Sequence, residues 1–241
     1  MEERHAVLYF SPYDWLILPP LILSLYAAWK VRSTFAKYSR VRALSGMTGR
    51  DAARMILRSD GITDVTIEVT PGQLTDHYHP TQKALRLSED VYYGDSIAAL
   101  GVAAHEAGHA VQHHRAFAPL VLRNMAAPVT GIGSYLGPVL FMIGLFMGAG
   151  TTVFGYYAML AGIVLFGAAT AFAVITVPVE IDASRRAMKL LVEGGHLTRD
   201  EAPMARKVLT AAALTYLAGM LMAMMQLLKY VLIFTRMSRD D

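Results

Sequence analysis

Apolar positions along the chain gather into four long runs. Charge and shorter periods return between them. The first run covers 13–31 and holds Leu16, Ile17, Leu18, Leu21, Ile22 and Leu23. The others cover about 132–149, 156–179 and 211–228. Each comes close to the roughly 20 residues a helix needs to cross a bilayer. Trp15 and Trp29 stand near the ends of the first run, where aromatic anchors sit at a membrane interface. Pro19 and Pro20 would kink that helix, which a membrane tolerates. The run lacks an adjacent basic leader and a small-residue cleavage site, so it reads as an anchor and not as a signal peptide.

The segment 33–95 has the pattern of a water-facing region. Thr48 with Asp51 has the spacing of a capping box and opens a short helix that Gly61 stops. Val65-Thr66-Ile67-Glu68-Val69 alternates as a strand, and Lys83-Ala84-Leu85-Arg86-Leu87 is a second candidate strand. A small sheet of this kind would offer an edge along which an extended peptide could add as a strand. Ser96 then caps a helix that is apolar nearly all round from Ile97 to Ala104, a sign of burial.

That helix, expected over 96–114, carries the candidate chemistry. His105-Glu106-Ala107-Gly108-His109 is an H-E-x-x-H motif. Positions i and i+4 share one helix face, so both imidazoles can meet one zinc ion at roughly 2.0–2.1 Å. Glu106 is placed to act as a general base toward a zinc-activated water. By composition such a motif arises by chance in on the order of 1 in 100 chains of this length. Two histidines and a glutamate in a buried helix need partners, and a metal supplies them.

Composition agrees with membrane residence. Of 241 residues, 54% are hydrophobic and 17% charged, and the mean hydropathy is +0.38, too apolar for an ordinary soluble domain. Cysteine is absent. A disulfide framework, a cysteine nucleophile and a thiolate zinc site are therefore excluded. The net charge of +3 is clustered and not spread, which argues for topology and against nucleic-acid binding. Lys30, Arg32, Lys37, Arg40 and Arg42 follow the first run, and Arg185 and Arg186 follow the third. By the positive-inside rule these ends are cytoplasmic, which places the metal helix at the cytoplasmic face of a cell membrane. Arg236 and Arg239 oppose this with less charge. The fold expected is an α-helical integral membrane protein, one domain over 1–241. It has about four transmembrane helices, a small α+β cytoplasmic metal-binding region at 33–130 and a helical segment at 180–207. Lys229, at the end of the last run, is long enough to reach an interface.

A catalytic zinc needs a third protein ligand and one open position. A metzincin would place Gly and His where this chain has Gln112 and Arg115. His113 lies one turn beyond His109, but a straight helix cannot wrap three turns around one ion. Glu180 begins the charged stretch after the third run. It reads equally well as a ligand or as a solvated interfacial glutamate. His77 and His79, in the segment between the two strands, have no assigned role.

The stretches Leu74-Thr75-Asp76-His77-Tyr78, Leu87-Ser88-Glu89, Ala103 to Gln112 and Pro178-Val179-Glu180-Ile181-Asp182-Ala183-Ser184 resemble the YugP-like family of bacterial neutral zinc metallopeptidases. The similarity extends over nearly the whole chain. More remotely, the chain is similar to the HtpX-like and CaaX prenyl protease group. The resemblance implies a gluzincin-like site with one zinc per chain held by His105, His109 and Glu180, and Glu106 as base. The remoter group has Asp four residues after its ligand glutamate, where this chain has Ser184, with an acid at Asp182 instead. The activity implied is hydrolysis of peptide or protein substrates in the lipid bilayer. The competing reading is a non-enzymatic membrane scaffold or chaperone with a structural metal. A metal transporter is a third reading, opposed by the position of the histidines outside the expected spans.

Overall fold

A computed structural model of the chain describes residues 11–148 and 152–237. Residues 149–151, where the second run gives way to the third, lie outside that set, as does Arg239. The elements are α1 (Leu18–Tyr38), α2 (Gly49–Ser59), β1 (Thr66–Thr70), β2 (His77–His79), β3 (Ala84–Ser88), α3 (Glu89–Tyr92), α4 (Ile97–His114), α5 (Ala118–Phe146), α6 (Val153–Glu193) and α7 (Ala202–Met237). Among the described residues, α5, α6 and α7 are long and apolar enough to cross a membrane. α1 falls short of them. Pro19, Pro20, Lys30 and Arg32 dilute its apolar residues, and Asp14–Ile17 ahead of it wind as a 3-10 turn.

One compact unit comprises Leu25–Met125 with Val174–Leu217. Its core forms around α4, buried at Ile97, Leu100, Ala103, Ala107 and Val111. Ile56 and Leu57 of α2, Leu85 and Leu87 of β3, and Leu191 of α6 complete it. Small residues on α4 let its neighbours approach closely. A Cβ on Gly108 would lie 2.8 Å from the carbonyl oxygen of Ala183, so only glycine admits α6 there. Ser96 caps α4 by accepting from the Ala99 N–H at 3.1 Å. Thr48 and Asp51 form the reciprocal capping box of α2.

The sheet has the order β1-β3-β2. β1 runs parallel to β3, with Ile67 opposite Leu85, and β2 runs antiparallel, with Tyr78 opposite Leu85. The two expected strands form within one residue of their expected bounds. β2 is the addition. It is held by Asp76, whose carboxylate accepts from the Ser88 N–H at 2.8 Å and from the Ser88 hydroxyl at 3.1 Å. Burial pushes the Asp76 carboxyl up from its ordinary range, against those bonds.

The third apolar run does not stop at Pro178. α6 is 41 residues long and runs on to Glu193, so Glu180 lies inside it instead of opening a new helix. Proline removes one backbone donor, and a helix packed on its neighbours survives that loss. The second and fourth runs likewise extend to helices of 29 and 36 residues. Thr198 and Glu201 cap the entry to α7 reciprocally, and the second Glu201 oxygen accepts from the Leu44 N–H at 2.7 Å.

The other unit comprises Met1–Ser24, Ala126–Ala173 and Ala218–Asp241. Its small core is Phe141, Met159 and Tyr230, with Phe141 stacked on Tyr230 at 4.1 Å. Gly137 and Gly162 bring α5 and α6 to close approach, as small residues do between membrane helices. Lys229 pairs with Asp14 at 2.5 Å. Large apolar side chains such as Phe146 and Val153 point outward, at 82% and 76% exposure.

Candidate metal centre

His105 and His109 lie one turn apart on α4, with ring centroids 4.7 Å apart. Glu180 reaches them from α6. Its Oε2 is 3.1 Å from His105 Nε2 and 3.4 Å from His109 Nε2. Each of the three residues offers a donor atom within 4.8 Å of the others, and all three are buried. Donors at the corners of a tetrahedral zinc site, with bonds of about 2.0–2.2 Å, stand roughly 3.3–3.5 Å apart. Two imidazole nitrogens and one carboxylate oxygen at these separations fit that ion. Glu180 is 1% exposed, and a buried charge of this kind needs cationic partners. Arg123 of α5 supplies one, donating from Nη1 to the other oxygen, Oε1, at 3.2 Å.

The second nitrogens of both rings are also held. Gln112 donates from its amide to the Val179 carbonyl at 2.9 Å and to Asp182 Oδ2 at 2.8 Å. This turns its carbonyl oxygen toward His109 Nδ1, 3.0 Å away. An acceptor there calls for N–H at Nδ1, which leaves Nε2 as the natural ligand atom. His105 Nδ1 meets the Ser184 hydroxyl at 3.1 Å. Ser184 thus occupies the place beside the histidine where the sequence left the partner open. Asp182 stands one step further out, between Gln112 and Arg186.

Glu106 lies beside the histidines on α4 and takes no place in the three-donor group. Its Oε2 accepts from the Tyr78 N–H of β2 at 3.1 Å. Burial pushes its carboxyl above the ordinary glutamate value, opposed by the nearby His105 and His109. His109 is pushed down by burial, but the Glu180 hydrogen bond and the two carboxylates outweigh this and raise it above 6.5.

Among the described residues, His113, His77 and His79 stand apart from this group. His113 Nδ1 meets the Tyr78 hydroxyl at 2.9 Å. His77 bonds the Thr75 carbonyl, and His79 accepts from the Gln82 N–H. Sequence reasoning missed Arg123 and Gln112 as partners of the site. Gln112 carried a usable signal, since i+3 from His109 places it on the same helix face. Arg123 carried none.

A family profile described as "Putative neutral zinc metallopeptidase" matches residues 13–235. The chain is 46% identical over 229 residues to "Putative membrane protease YugP" of Bacillus subtilis (strain 168), covering 95% of this chain and 99% of that protein. No solved structure matches it.

Proposed function

Because the chain belongs to the family described as "Putative neutral zinc metallopeptidase", we propose that this multi-pass membrane protein is a zinc-dependent endopeptidase. Its ligands are His105, His109 and Glu180, for one zinc per chain, and its general base is Glu106. The observation that carries this reading is the approach of Glu180 Oε2 to both histidine Nε2 atoms. Two histidines on one helix and a glutamate on a second make the arrangement gluzincin-like.

Zinc, when bound, polarises the scissile carbonyl and makes water acidic enough to attack near neutral pH. Glu106 takes the proton of the attacking water and returns it to the leaving amine. Gln112 and Ser184 fix the two rings, and Arg123 holds the Glu180 carboxylate in line. The Tyr78 N–H bonds Glu106 and so points away from β3. The outer edge of β2, on the side away from β3, therefore faces the base. An extended peptide adds along that edge, held mainly through its backbone.

In this reading α1 is a fourth span beside α5, α6 and α7. The water-facing region at 33–130 and the segment at 180–207 lie on the cytoplasmic side, following the basic clusters. Purified protein loaded with zinc should cleave members of a peptide library, lose this activity to a chelator and regain it with zinc. Full zinc occupancy without hydrolysis of any peptide would favour a structural metal in a scaffold.

A further inference from the structure

A groove of about 1590 Å³ runs between α1, α6 and α7 in the unit that holds the metal centre. This exceeds the roughly 300–1,000 Å³ of ordinary small-molecule sites. Its lining changes character along each helix. α1 passes from Tyr26 to Lys37, α6 from Ile181 to Arg185, and α7 from Leu214 back to Arg206. Seven lysines and arginines line it, against Glu193 as the one lining carboxylate. Glu193 is already engaged by Lys189 at 4.0 Å. The other six cations, Lys30, Lys37, Arg185, Arg199, Arg206 and Lys207, form no ion pair among the described residues.

Six unneutralised cations above an apolar wall, between α1 and two helices long enough to cross a membrane, match one occupant in both charge and apolar contact. We propose that the groove binds a phospholipid with an anionic headgroup. The phosphate lies among Arg185, Arg206 and Lys207, and the acyl chains lie along Ile181, Leu214 and Leu217. A basic pocket between membrane helices recognises such headgroups by charge, and the apolar wall supplies the rest of the contact. Ser184, whose hydroxyl meets His105 Nδ1, also lines the groove. The bound lipid therefore borders the metal centre.

The test is native mass spectrometry of the full chain, released from detergent with equal amounts of phosphatidylglycerol or phosphatidylcholine of the same acyl chains. The wild-type chain should retain phosphatidylglycerol at least ~10-fold more than phosphatidylcholine, as charge recognition by several cations implies. Excess glycerol phosphate should not displace it, since the free headgroup lacks the apolar contact. R185Q/R206Q/K207Q should reduce phosphatidylglycerol to the level of phosphatidylcholine. Lys30→Gln with Lys37→Gln, which leaves α6 and α7 untouched, should reduce it in part. Equal retention of the two lipids by the wild-type chain would overturn the proposal. So would full displacement by glycerol phosphate, which would mark a site for free phosphate, or an undiminished preference in both variants. The readout is independent of proteolysis.

Discussion

Gly108 and Ala183 are in backbone contact. A Cβ on Gly108 would meet the Ala183 carbonyl oxygen at 2.8 Å. Gly108 lies inside the H-E-x-x-H motif, and Ala183 is one turn beyond Glu180 on α6, so this contact sets how far Glu180 stands from the histidines. Gly108→Ala should push α6 outward and weaken zinc binding. Activity should fall by on the order of 10²-fold, as expected when catalytic groups shift by about 1 Å. Gly131→Ala, with open space around its Cβ, is the control and should change neither. Zinc per chain and turnover measured on both variants decide the matter.

Gln112 touches His109 directly, and Asp182 touches Gln112. Their variants should therefore rank in that order. Gln112→Ala and Ser184→Ala each free one histidine Nδ1, and each should weaken zinc binding by roughly 10–100-fold. Asp182→Asn should cost less, and His113→Ala should leave affinity unchanged. Competition titrations with a zinc chelator give the four values.

How much of this was legible in the sequence depends on whether the signal was local. Helix α4, its Ser96 cap and the spacing of His105 and His109 follow from a few adjacent residues. β2 did not show, because three residues beside Pro80, two of them histidines, become a strand only by pairing with β3 and by the Asp76–Ser88 bond. The continuation of α6 through Pro178 was hidden for a similar reason, since packing outweighs one lost backbone bond. Glu180 drew attention through the charge that returns after an apolar run and through family resemblance. Its distance to the histidines needed the fold. Arg123, on a different helix from its partner, left no pattern to read.

Zinc loading should depend on pH in a definite direction. His109 is raised above 6.5, since the Glu180 hydrogen bond and the carboxylates outweigh the lowering by burial. A ligating imidazole must be neutral, so zinc has to displace that proton. Affinity should therefore fall as pH drops through the raised His109 value, and loading near neutral pH should release protons. Titrations between pH 6 and 8 with proton counting check this, and a flat affinity across the range would contradict it.

Orientation can be read with introduced cysteines, because the chain has none of its own. Ser45 and Thr152 are exposed and lie on opposite sides in the proposed topology. An impermeant maleimide on intact cells should label Thr152→Cys and spare Ser45→Cys. The reverse pattern would place the metal centre outside.

The central claim is that Glu106 moves protons while His105, His109 and Glu180 hold the metal. Zinc content and peptide hydrolysis measured on one preparation of Glu106→Gln test it most directly. The account predicts zinc at the wild-type level with turnover reduced at least ~10²-fold, the lower range for a lost general base. Wild-type turnover in that variant, or loss of its zinc, would contradict it.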